Sequence, residues 1–137
     1  MKTVKKILNS IFIDGLSGMA LGLFSTLIIG TILKQIGDLM GGTYGSYLSA
    51  FAVIAQRLTG AGIGIGVAYK FRESTYVLLS AAAAGMIGAY ASGLIAGTLF
   101  SDTGALVLAG PCEPLGAFVA AYVGNTVGRL VAGKTKL

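Results

Sequence analysis

Gln56 and Arg57 lie inside an apolar, glycine-rich stretch from Gly45 to Tyr69, and no other charged residue falls between Asp38 and Lys70. A guanidinium presents a planar fork of donors that grips a carboxylate or a pair of sugar hydroxyls, and a carboxamide adds a donor and an acceptor. At the centre of a bilayer an arginine costs about 2.5–3.5 kcal/mol to insert, so such a residue faces a protein or water-filled interior and has a partner. Arg57 therefore either contacts a polar solute or pairs with Asp14 and fixes helix packing. Asp14 is in turn a solute-binding or proton-coupling carboxylate, or an interfacial charge. Glu113 stands between Pro111 and Pro114, which lack amide donors. It either accepts hydroxyl donors on irregular backbone or caps the helix that follows. Asn125 and Arg129 share a helix face, and Arg129 is close enough to the segment end to snorkel. The candidate binding residues are thus Asp14, Gln56, Arg57, Glu113 and Asn125.

Catalysis is not expected from these groups. Histidine is absent, which removes the commonest general base and the commonest metal ligand. Cys112 is the single cysteine, so no intrachain disulfide forms, and no histidine activates its thiol. The series Thr59 to Gly66 has a glycine at every second position from Gly60, but no Gly-Lys-Ser/Thr follows and no strand precedes it, so it is not a nucleotide loop. No cofactor is expected.

The elements that must position these residues follow from composition. Of 137 residues, 11% are charged and 55% hydrophobic, against about 25% charged in a soluble domain. That is too little charge to cover a soluble globule, and it indicates an all-α integral membrane protein. The net charge of +5 does not point to nucleic acid, because the basic residues punctuate apolar segments and form no stripe. The apolar run after Lys2, Lys5 and Lys6 reaches Leu33, too long for a cleaved signal, so it reads as a retained first helix.

With about 20 residues needed per crossing, about four transmembrane helices are expected, at Ile7–Leu33, Gly45–Tyr69, Thr75–Phe100 and Leu115–Ala132. The third has no charge. Residues 103–114 are too short to span and either extend the fourth segment or form a re-entrant loop. Lysines at both ends and Lys70 with Arg72 fall on one side, which the positive-inside rule makes cytoplasmic, with both termini there. Rise per residue places Arg57 at or slightly beyond mid-membrane. Tyr44, Tyr47, Tyr69 and Tyr76 fall near the interfaces as an aromatic belt.

The 22 glycines have two readings. Directly after Gln56-Arg57 they either break the helix near residues 56–66, as in transporter sites, or let another helix approach closely. Gly15, Gly18 and Gly22, and the Gly93-Leu-Ile-Ala-Gly97 pattern, read as packing seams.

Three stretches carry a family resemblance. They are Ile7 to Gly22, the Gln56-Arg57 neighbourhood with its glycines, and Gly110-Pro-Cys-Glu-Pro-Leu-Gly-Ala-Phe118 with the later Gly128 to Lys136. Together they resemble the IIC-type membrane subunits of the bacterial phosphotransferase system, and more closely the branch that includes the perfringolysin O regulator-like proteins. The resemblance implies a permease component in the bacterial plasma membrane for a small polar solute, a sugar or polyol, working with IIA and IIB partners that supply phosphoryl transfer. The alternative is a membrane-embedded sensor or regulator that keeps a permease-like fold without transport. It also implies that residues 1–137 form one membrane domain equal to half of a longer unit, completed by a second copy or a C-terminal half.

Overall fold

The computed structural model describes residues 2–108 and 112–135. Pro111 and Lys136 lie outside the described residues. The first helix begins as α1 (Lys2–Asn9), passes through a π-helical turn at Ser10–Gly15 and continues as α2 (Leu16–Met40). Gly41 and Gly42 follow, at φ +64° and +65°. Both angles lie in the left-handed region that residues with a Cβ resist, so the chain reverses in two residues. It returns along α2 as α3 (Gly42–Arg57) and α4 (Thr59–Lys70), then runs through α5 (Thr75–Ala89), a short α6 (Ala91–Ala96) and α7 (Pro114–Thr135). Among the described residues strand structure is limited to one antiparallel bridge, Phe100 to Leu106.

The architecture is all-α, and its outer faces are apolar. Phe12, Phe24, Ile29, Ile54, Leu79, Ile87, Val119 and Val123 are all exposed. In water such a surface would be untenable, whereas in lipid it is the expected one. Tyr44, Tyr47, Tyr69 and Tyr76 are exposed as well, in keeping with an interfacial belt.

Of the four expected spans, three have a helical counterpart long and apolar enough to cross, one of them only as a bent pair. The continuous helix Lys2–Met40 and the Pro114–Ala132 part of α7 are each long and apolar enough to cross, and α3 with α4 makes a third crossing if the bent pair is counted as one. The third expected span, Thr75–Phe100, is not a single helix. α5 stops after 15 residues, Tyr90 leaves helical geometry at φ −119°, and α6 has six residues. Fifteen residues reach about 22 Å, short of a hydrocarbon core about 30 Å thick. Uncharged composition alone did not reveal where this helix ends.

The interior is built by small residues. A Cβ added to Gly22 would collide with the Gly62 carbonyl, and one on Gly18 would stand 2.5 Å from the Gly66 carbonyl oxygen. On the other face of α4, Gly64 lies against Ala81 and Gly60 against Gly85, while Gly88 of α5 meets Gly116 of α7. Backbones in lipid gain from contact that close because helix association there rests on van der Waals packing. α4 is the central element, with Ile63, Val67 and Ala68 fully buried. The Gly60–Gly66 series is therefore intact helix acting as a double packing seam, as one of its two readings held. Gly93 and Gly97 do not form the expected interhelical seam. Gly93 packs on Leu99, and Gly97 closes α6 at φ +76°.

Candidate functional site

The break that the sequence placed near 56–66 is a 44° bend between α3 and α4. It lies just ahead of the glycines, at Leu58, and its local cause is Thr59. The Thr59 hydroxyl donates to the Gln56 carbonyl at 2.7 Å, three residues back. A side chain that takes a helical carbonyl in this way competes with the backbone ladder and bends the helix. Leu58 N–H closes a tighter turn onto Ala55, and regular bonding resumes with Gly62 N–H on Leu58. Thr59 is itself 1% exposed and receives the Thr26 hydroxyl of α2 at 3.1 Å. The bend is thus fixed by a short chain of hydroxyls buried between two helices.

At the bend is a cavity of about 380 Å³. Gln56, Arg57 and Thr59 line it from the bend, and Leu23, Leu27 and Val53 give it an apolar wall. Tyr90, Cys112 and Pro114 close it from the segment that joins α5 to α7. A half-enclosed cavity of this size, mostly apolar with a few convergent polar groups, suits a small ligand. The joining segment is anchored where it passes: Glu113 N–H donates to the Ala89 carbonyl at 3.0 Å, and Ala117 N–H to the Glu113 carbonyl at 3.0 Å. Residues 99–107 form a small hairpin-like turn, with Val107 N–H on Leu99 O and Ser101 N–H on Ala105 O. The described residues between α6 and α7 are therefore irregular backbone, and Cys112 is brought up against the bend.

Two polar groups set the site's chemistry. The Tyr90 ring is 4% exposed, and its hydroxyl has no hydrogen-bond partner among the described residues. The Cys112 thiol is pushed above its ordinary pKa, chiefly by burial and further by the Glu113 charge, while the Gly60 amide opposes the shift. It is a neutral thiol at physiological pH.

The expected site residues divide. Gln56 and Arg57 share the cavity. Glu113 stands at its rim, with its carboxylate exposed and accepting the Ser92 hydroxyl at 2.6 Å. Asp14 is elsewhere: it is exposed on the π-helical turn. Because Gly30 packs on Gln56 and Gly18 on Gly66, Asp14 falls level with the Lys70 end of α4, about 24 Å along α2 from Gln56. The Asp14–Arg57 pair is therefore not formed. The same register puts Arg57 past the midplane, about one turn of α2 from Lys34. Asn125 is 1% exposed on α7, and neither of its amide atoms has a partner among the described residues. It does not line the cavity. Tyr90 and Thr59 were not anticipated. Tyr90 did carry a signal, as the polar-tipped aromatic deep inside an uncharged run, and Thr59 follows Arg57 by two positions.

At the opposite end of α4 the polar groups satisfy one another. Arg129 Nε donates to Glu73 at 2.6 Å, and its guanidinium lies 5.8 Å from the Phe71 ring centre. Phe71 meets Tyr122 edge-on at 5.9 Å. Lys70 and Arg72 flank this cluster, and Lys2, Lys5 and Lys6 lie on the same side beyond Asp14. Lys34 and Asp38 pair at 3.0 Å at the far end.

The apolar helical bundle thus holds one broken helix with a half-enclosed, mostly apolar cavity beside the break. No curated protein and no solved structure matches the chain. A family model, phosphotransferase system EIIC, matches residues 13–137. The chain is a permease-type membrane component and belongs to the phosphotransferase system EIIC family.

Proposed function

We propose that this chain binds the transported solute, a sugar or polyol, in the cavity at the α3–α4 bend. The observation that carries this reading is Tyr90, which lines the same cavity as Gln56 and Arg57 and whose buried hydroxyl has no partner among the described residues. A buried polar group left unmet costs about 1–3 kcal/mol, and a hydroxyl-bearing ligand removes that cost. Gln56 supplies a donor and an acceptor, Arg57 a donor fork, and the aliphatic wall of Leu23, Leu27 and Val53 takes the ring face. Glu113 at the rim accepts hydroxyls as the solute enters.

The end of the bundle with Lys70, Arg72 and Arg129 faces the cytoplasm of a bacterial cell, with both chain termini on that side. IIA and IIB partners act there, because this chain offers no histidine for phosphoryl transfer. A second copy or a further permease half completes the path, since the interior of one bundle is filled by its glycine seams. Uptake into vesicles tests the reading. Arg57→Ala is expected to remove uptake of the solute while the protein still inserts and folds. Unchanged uptake in a folded Arg57→Ala protein would refute it.

A further inference from the structure

Sugars and polyols are neutral, yet the few polar groups of this mostly apolar cavity include a guanidinium and two helix starts. α4 and α7 both begin on it: Thr59 and Pro114 are the first residues of those helices, and both line the wall. A helix start carries partial positive charge and free amides. At the bend, Leu58 N–H bonds back to Ala55 and Gly62 N–H to Leu58. The first turn of α4 is thereby set off from α3. Arg57 adds a full positive charge between the two helix starts.

Helix starts alone do not make a site. The independent sign is Tyr90, whose 4%-exposed side chain lines the cavity with its hydroxyl unmet. A phenol donates far more strongly to an ionised oxygen than to a neutral one. Among the lining side chains, the Gln56 carboxamide and the hydroxyls offer acceptors, and no lining residue is acidic. The nearby carboxylate, Glu113, is outside the lining and is engaged by Ser92.

We propose that the cavity takes an acidic sugar derivative, with its carboxylate held by Arg57, the Tyr90 hydroxyl and the starts of α4 and α7. This rests on the reading of the cavity as the solute site. An anionic lipid headgroup would present similar chemistry, so the test separates the two. The full chain is placed in phosphatidylcholine nanodiscs, and thermal unfolding is followed with glucuronate and galacturonate against glucose and galactose.

An acid is expected to stabilise the protein at roughly tenfold lower concentration than its parent sugar. Arg57→Gln should erase that difference, Arg57→Lys should retain part of it, and Tyr90→Phe should weaken acid binding. If Arg57→Gln does not fold, the Arg57→Lys and Tyr90→Phe responses decide. A parent sugar that binds as well as its acid overturns the acidic-solute inference and leaves the solute site standing. No response to any of the four overturns both. Stabilisation by phosphatidylglycerol in the nanodisc, with none by soluble acids, overturns the inference in favour of a headgroup site.

Discussion

The two ends of α4 are built from similar residue types and do opposite things. At the Lys70 end an arginine, a carboxylate and two aromatic rings close on one another: Arg129 on Glu73, Arg129 over Phe71, Phe71 against Tyr122. At the Thr59 end an arginine, a carboxamide and a tyrosine surround a cavity, and the tyrosine hydroxyl is left without a partner. One helix thus joins a self-satisfied polar cluster to a cavity beside which a tyrosine hydroxyl is unmet. Polar groups that meet each other hold a fold together, whereas buried groups that do not are kept for something that arrives later. The seam of Gly60, Gly64 and Gly66 lies between the two ends and holds both to the same frame.

The largest effect is expected from removing that shared frame. In Gly64→Leu the new Cβ would meet the Ala81 carbonyl, a backbone atom that cannot swing aside. Overpacking of this kind costs about 1–3 kcal/mol even where neighbours can shift. Both ends should be lost together, seen as loss of monodisperse protein in detergent. A folded Gly64→Leu protein would show the seam to be looser than its geometry.

A crossed pair of substitutions separates the ends. Arg129→Gln strands the largely buried Glu73 carboxylate and should lower stability by about 1–3 kcal/mol, between the exposed and buried limits. Its ligand response should be unchanged. Arg57→Gln should do the reverse, losing ligand-induced stabilisation while the unliganded melting temperature moves little. If both variants change the same observable, the two ends are not functionally distinct.

Tyr90→Phe is a smaller and more diagnostic change. It removes an unmet hydroxyl and keeps the ring, so the unliganded protein should gain up to about 1 kcal/mol. Ligand binding should weaken at the same time, the trade expected where a site stores unsatisfied polarity. Loss of stability instead would mean that the hydroxyl already has a partner within the protein.

The smallest effect is expected at Cys112, in the connection between α6 and α7. Burial and Glu113 raise its thiol pKa in the folded state, so the neutral form is the one that folding favours. The stabilisation is full below the ordinary thiol range and is lost as pH rises through the raised value. Alkylation near neutral pH should therefore be slower in the folded protein than in the denatured chain, and should accelerate above the ordinary thiol range. Because Cys112 lines the cavity, bound ligand should slow it further. Equal rates in folded and denatured protein would contradict the burial.

Much of this was legible beforehand, for reasons that differ by residue. Low charge and long apolar runs suffice for an all-α membrane protein, because lipid leaves the backbone few other ways to satisfy itself. Gln56 and Arg57 stood out because a charge amid apolar residues is costly and so is rarely without purpose. Gly18 and Gly22 were readable as seams from their helical spacing. The Asp14–Arg57 pairing could not be decided beforehand, because the distance of Asp14 along the chain from Lys6 says nothing about which turn of α4 it faces. Thr75–Phe100 was overextended because the capacity of Tyr90 and Gly97 to leave helical geometry does not show in hydropathy.

The sequence by itself determined the solvent, the helical class and the two residues most in need of an interior, since each follows from transfer energies of single side chains. The tertiary structure decided the rest. Gly18 on Gly66 and Gly30 on Gln56 fix the register of α2 against α3 and α4, and that register carries Asp14 away from Arg57. The return of the chain at Cys112–Pro114 brings Tyr90 and a second helix start to the bend. Which polar groups meet and which are left facing a cavity depends on distances between helices, and backbone contact at glycine sets those distances.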